Sequence, residues 1–94
     1  MTLLYKSIAP DVELALGKVV SAECRRLRVH PRTVARRGEF PDSAVQAFRR
    51  GKRQPNLAAF IALAWSLHEE PRDLFDKLLT AMRLPPGTRP VLNR

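Results

Sequence analysis

Proline divides this chain. Pro10, Pro31, Pro41, Pro55, Pro71 and the Pro85-Pro86 pair recur along its length, and between them the apolar residues return every three or four positions. A proline ring fixes φ and removes the backbone donor, so it suits the first turn of a helix and breaks its interior. The pattern therefore predicts five short helices with short connections. Nowhere does it alternate as a strand would, and it holds no internal repeat.

Residues 1–9 carry an apolar patch, Leu3, Leu4 and Tyr5, without helical spacing, and read as an N-terminal arm. Pro10 and Asp11 open the first helix, the acid facing the positive end of the dipole. Its stripe is Leu16, Val20, Cys24 and Leu27, widened by Val19, and it ends near Leu27. Pro31 opens a second helix, with Val34 and Ala35 inward, Arg32, Arg36 and Arg37 outward, and Gly38 at the C-cap position. Pro41 opens a third, with Val45 and Phe48 inward and Gly51 at its end. Asn56 is an N-cap for the fourth, whose Leu57, Phe60, Ile61, Ala64 and Leu67 predict the most buried element. Pro71 starts the fifth, with Leu74, Phe75, Leu78, Leu79 and Met82 as its stripe. Pro85-Pro86-Gly87 stops it, and residues 84–94 read as a flexible basic tail. The expected fold is an all-α, compact five-helix bundle spanning residues 10–83.

Ninety-four residues support one core and one domain, and 45% hydrophobic content is enough to fill it. A single cysteine, Cys24, excludes an internal disulfide. It falls on the first helix's apolar stripe, so it reads as a small buried hydrophobe. The longest apolar run, Leu57 to Trp65, is far shorter than the ~20 residues of a membrane span. The N-terminus has no basic segment followed by a long apolar one, so it does not read as a secretory signal. His30 and His68 have no thiol or carboxylate at ligand spacing, which argues against a metal site. No phosphate-binding glycine loop and no nucleophile–base pair is present. The acids of Glu69-Glu70 and Asp73-Asp76 read as helix-start and solvating residues. The expectation is a soluble intracellular domain that is not an enzyme and needs no cofactor.

Charge is the second constraint. The chain carries +8, and all of that excess lies between residues 25 and 53. That window holds ten cations, Arg25, Arg26, Arg28, Arg32, Arg36, Arg37, Arg49, Arg50, Lys52 and Arg53, against Glu39 and Asp42 alone; elsewhere seven cations balance seven acids. Arginine donates bidentately to phosphate and to guanine, where lysine acts as a point charge. A merely solvated surface would mix both signs, so the expected partner is double-stranded DNA.

The second and third helices are short, closely joined and rich in arginine, the layout of a helix-turn-helix at about residues 31–50. From Leu16 to Phe75 the sequence resembles the Cro/CI-type (XRE family) helix-turn-helix domain. The match is carried by Leu16-Gly17, Val34-Ala35, Val45, Phe48, Arg50-Gly51-Lys52-Arg53 and Pro55, then Leu57, Leu63, Ala64, Leu67 and Leu74-Phe75. The pattern is divergent. His30-Pro31 stand where the family usually has Ser-Gln, Glu39 where glycine is common, Arg49 where glutamate is common and Cys24 where arginine is often found.

The resemblance implies a lambda-repressor-like fold whose third helix enters the major groove. Asp42, Ser43, Gln46 and Ala47 are then the base-reading candidates: Gln pairs with adenine, Asp accepts from cytosine, and Ser takes either. Asp42 and Ser43 have a simpler alternative as caps of that helix. Arg32, Arg36, Arg49, Arg50, Lys52 and Arg53 are the phosphate-binding candidates. Trp65 reads as core or interface rather than a stacking platform. Such domains bind as dimers, and Leu3, Leu4, Tyr5, Leu78, Leu79 and Met82 are the candidate dimer surface. The function implied is a sequence-specific transcriptional regulator, a cytoplasmic, nucleoid-associated repressor. The alternative is an antitoxin or other partner-binding protein that uses the same fold and binds its own promoter. A membrane-surface role ranks last, because the apolar residues beside the arginines are needed for the core.

Overall fold

Helix boundaries follow the prolines and caps at four of five starts. The computed structural model describes residues 4–82 and contains α1 (Leu4–Leu27), α2 (Pro31–Gly38), α3 (Asp42–Arg49), α4 (Leu57–Ser66) and α5 (Pro71–Ala81), with no strand among the described residues. The fold is all-α, as expected. Pro31 and Pro71 stand in the first turns of α2 and α5. Two helices are capped by side chains: His30 Nδ1 accepts from the Arg32 N–H at 3.0 Å, and Asn56 Oδ1 from the Ala59 N–H at 2.8 Å. The proposed start at Pro10 needs correction. The helix begins at Leu4 and Pro10 lies inside it. Proline removes only its own donor, so the turns before it keep their remaining bonds, and residues 4–9 are helix rather than an extended arm. Leu3 and the proposed tail, residues 84–94, lie outside the described residues.

Four helices close in the same way. One or two residues past each end the chain turns left-handed: Arg28 (φ 56°), Glu39 (57°), Gly51 (71°) and His68 (58°). The next N–H then reaches back five residues, from Val29 to Cys24 at 3.0 Å, Phe40 to Ala35 at 2.8 Å, Lys52 to Ala47 at 2.9 Å and Glu69 to Ala64 at 2.9 Å. These are Schellman closures. Only one uses glycine; the other three tolerate a conformation that costs a Cβ-bearing residue on the order of 1 kcal/mol. The role expected of Gly38 thus belongs to Glu39. Gly38 is required for space instead, since a Cβ there would overlap the Phe40 ring and stand 2.6 Å from Ser66 Oγ.

The core is built around α1. Leu16, Val19, Val20 and Cys24 bury one side of it against Val34 and Ala35 of α2, Ala44, Val45 and Phe48 of α3, Leu63 and Ala64 of α4 and Leu74 and Leu78 of α5, with Leu67 just past α4. Helix α4 is not the most buried element: Leu57 is 77% exposed and Trp65 63%. A helix apolar all round cannot turn every face inward, and only the side bearing Leu63 and Ala64 meets the core. Trp65 is therefore not a core residue. On α5, Leu74 and Leu78 are buried while Phe75 and Leu79 are exposed, because residues four apart share a face and their neighbours do not.

A buried ionic cluster joins α1 to α5. Lys77 Nζ donates to Glu23 Oε1 at 2.8 Å and to Glu69 Oε1 at 2.6 Å, and Arg26 Nη2 donates to Glu23 Oε1 at 2.7 Å. Both carboxylates are almost fully buried. The Arg26 guanidinium, with Lys77, holds Glu23 down to about 2. Glu69 is pushed the other way, by burial and by the neighbouring Glu23. Glu69 is thus a structural residue and not the solvating one expected from its sequence context. Glu23 was not singled out in the sequence, although it stands three residues after Val20 on the buried stripe, where an unpaired acid would be costly.

Candidate nucleic-acid interface

Helices α2 and α3 are eight residues each and are joined by Glu39, Phe40 and Pro41. Phe40 fastens the connection to the core: its ring meets Phe48 edge-on, with centroids 6.1 Å apart and planes at 88°. With Val34, Ala35, Ala44, Val45 and Phe48 turned inward, the exposed side chains of the two helices make an outer surface, from which Arg37 departs toward α4. From α2 it carries Arg32 and Arg36. From α3 it carries Asp42 and Ser43, exposed, and Gln46 and Ala47, half-buried. Arg50, Lys52 and Arg53 follow in the loop, all exposed.

Helix α1 backs this surface at close range. A Cβ on Gly17 would stand 2.7 Å from the Arg49 carbonyl oxygen and 3.0 Å from the Gly51 nitrogen. Beside that crossing, Leu14, Lys18, Ser21 and Arg25 of α1 face Arg49 and Arg50 across a cleft of about 330 Å³. A second cleft of about 290 Å³ continues past Arg25 and Arg49 to His30 and Pro31. The cationic surface therefore extends from the loop after α3 to the start of α2. Arg25 belongs to it through these clefts, a placement that its position at a helix end did not indicate.

The candidate residues differ in what they touch. Asp42 Oδ2 lies 3.8 Å from Arg32 Nε, both well exposed, so the acid nearest the surface has a cation beside it. Neither Asp42 nor Ser43 caps α3 by a side-chain bond: Pro41 occupies the N-cap position, and Asp42 sits in the first turn, where it favours the dipole only. Gln46 Oε1 accepts from Arg49 Nε at 2.9 Å and from Arg49 Nη2 at 2.7 Å. Arg36, Arg50, Lys52 and Arg53 are exposed and enter none of the ion pairs among the described residues. Two arginines of the charged window serve the fold instead. Arg26 belongs to the Glu23 cluster, and Arg37 Nη1 donates to the Ser66 carbonyl at the end of α4 at 3.3 Å.

The candidate dimer residues separate. Leu4 and Tyr5 are exposed on the first turn of α1, and Leu79 is exposed on α5. Met82 is half-buried and packs on the core. Leu78 is a correction: it is 5% exposed and belongs to the core, one turn on from Leu74. A larger apolar surface lies elsewhere. Val12 and Leu16 of α1, Leu57, Phe60 and Ile61 of α4, and Phe75 and Leu78 of α5 line a groove of about 570 Å³. Phe60 and Phe75 meet edge-to-face across it, 6.2 Å apart.

Cys24 is buried, and burial raises its thiol above the ordinary value, which keeps it protonated and unreactive. Among the described residues no three His, Cys, Asp or Glu side chains gather as a metal would require, and no helix is long and apolar enough to cross a membrane. Comparison with family models, with curated proteins and with solved structures returned no significant match to this chain.

Proposed function

We propose that this chain is a sequence-specific DNA-binding transcriptional regulator, a repressor acting as a dimer at the nucleoid. The observation that carries the reading is the surface of α2, α3 and the following loop: exposed Arg32, Arg36, Arg50, Lys52 and Arg53, with Asp42 beside Arg32. In this reading α2 and α3 form a helix-turn-helix. Helix α3, about 12 Å long at 1.5 Å per residue, presents Ser43, Gln46 and Ala47 to a major groove of about the same width. The arginines and Lys52 neutralise flanking phosphates, which sets affinity and register, while the shorter polar side chains read the sequence.

Titration of labelled duplex at several salt concentrations tests this. About six phosphate contacts predict that log K falls against log salt with a slope of roughly −5. A slope near zero would sink the reading.

The apolar groove favours a second reading alongside it. A contiguous apolar surface on a small protein marks a place where another protein binds, and here it lies on the α1–α4–α5 side, formed by elements other than α2 and α3. An antitoxin or similar protein that binds a partner and its own promoter would use both surfaces. Co-purification of a second small protein with the tagged chain supports that reading; recovery of the chain alone, as a dimer, supports the stand-alone regulator.

A further inference from the structure

We infer that Gln46 presents only hydrogen-bond donors to DNA and selects a keto base, guanine or thymine, rather than adenine; this rests on the DNA-binding reading above. A glutamine reads adenine by accepting from N6 and donating to N7 at once, which needs its carbonyl oxygen free. Here that oxygen is occupied. Arg49, one turn further along α3, directs both Nε and Nη2 at Gln46 Oε1, at 2.9 and 2.7 Å, so that oxygen is held in a two-pronged, charge-assisted contact. The orientation of the amide follows from chemistry: a guanidinium has donors and no acceptor, so the amide atom that faces it is the oxygen. What remains for bonding is the Nε2 amino group with two hydrogens.

Guanine offers two adjacent acceptors, O6 and N7, and thymine offers O4, whereas adenine sets a donor beside N7 and cytosine presents a donor alone. A donor-only amide fits the first pair and conflicts with the amino group of the second. The positive charge of Arg49 behind the amide acts in the same direction, since it favours the electron-rich edge of guanine. Arg49 is thus a positioning residue: it sets which end of the amide is left to bond, in addition to any phosphate it touches. Ser43 and Ala47 beside it impose no such polarity.

The test is selection of bound sequences from random duplex DNA with the wild type, Gln46→Ala and Arg49→Met. Gln46→Ala is expected to make one position degenerate, and the wild type to prefer guanine or thymine over adenine there by on the order of tenfold. Arg49→Met frees the oxygen and moves that position toward adenine. Arg49→Leu, which likewise offers no donor to Gln46 Oε1, carries the same expectation if Arg49→Met is poorly folded by circular dichroism. Adenine or cytosine at the wild-type position, no position relaxed by Gln46→Ala, or an unchanged preference in both Arg49 variants would each overturn the inference and leave DNA binding standing. If the wild type enriches no sequence at all, the proposed function itself fails.

Discussion

Gly17 lies directly beneath the Arg49 carbonyl: a Cβ on it would stand 2.7 Å from that oxygen, with the Phe48 carbonyl 3.2 Å away. All its near neighbours are backbone, so no side-chain rotation makes room. Gly17→Ala must push α3 away from α1 and is expected to cost about 2–3 kcal/mol. Urea denaturation checks this, and the same variant should lose DNA affinity because the α3 surface moves. A change below about 0.5 kcal/mol would show that the crossing is looser than described.

The Glu23 cluster predicts an acid limit. Glu23 ionises at about 2 in the fold against an ordinary 4.5, held chiefly by Arg26. A depressed carboxylate stabilises above its unfolded value, so its contribution, up to about 3 kcal/mol, drains away as pH falls from 4.5 to 2. Glu69 has the opposite sign: its raised value favours the fold at low pH and loses that advantage as pH rises through it. Glu23→Gln should lower the midpoint at pH 7 and flatten the acid limb of a thermal-melt series. Equal acid sensitivity in variant and wild type would exclude Glu23 as the cause.

Lys77 neutralises two buried carboxylates at once, at 2.8 and 2.6 Å. Lys77→Met leaves Glu23 with Arg26 and leaves Glu69 short of a close cation, and is expected to cost about 2–3 kcal/mol, since an uncompensated buried charge is the expensive outcome. Adding Glu69→Gln to that variant should restore part of the loss, which chemical denaturation of the single and double variants measures.

His30 starts α2 through its ring nitrogen rather than a hydroxyl or carboxamide. Replacing it with alanine removes the cap and should cost about 1 kcal/mol, while asparagine, an ordinary capping residue, should cost little. Equal losses for both would mean that the ring contributes through packing and not through the Arg32 N–H.

Much of this architecture was legible because proline and asparagine act locally: Pro31, Pro71 and Asn56 each begin a helix where the sequence indicated. Pro10 misled because the same residue can lie inside a helix when the turns before it keep their other bonds. The stripe Leu16, Val20 and Cys24 identified the buried side of α1, whereas α4, apolar on every side, gave no face to choose and left Leu57 and Trp65 unplaced. The arginines of the charged window were identifiable as a group but not individually. Arg37 with the distant Ser66, and Arg26 with the buried Glu23, divide those that hold the fold from those left facing outward. Glu23 was detectable in principle, as an acid on an apolar stripe; its partners on α5 were not.

The buried thiol supplies an internal clock. Cys24 is the chain's single cysteine and faces the interior from the middle of the α1 stripe. Cys24 also lines the cleft beside Arg25, His30 and Arg49, so a thiol reagent reaches it where that cleft or the α1 packing opens, and the labelling rate counts those openings. Because α1 also backs α3, any duplex held on the α2–α3 surface should slow that rate in proportion to its occupancy. Binding could then be timed on the native chain, without a dye or tag.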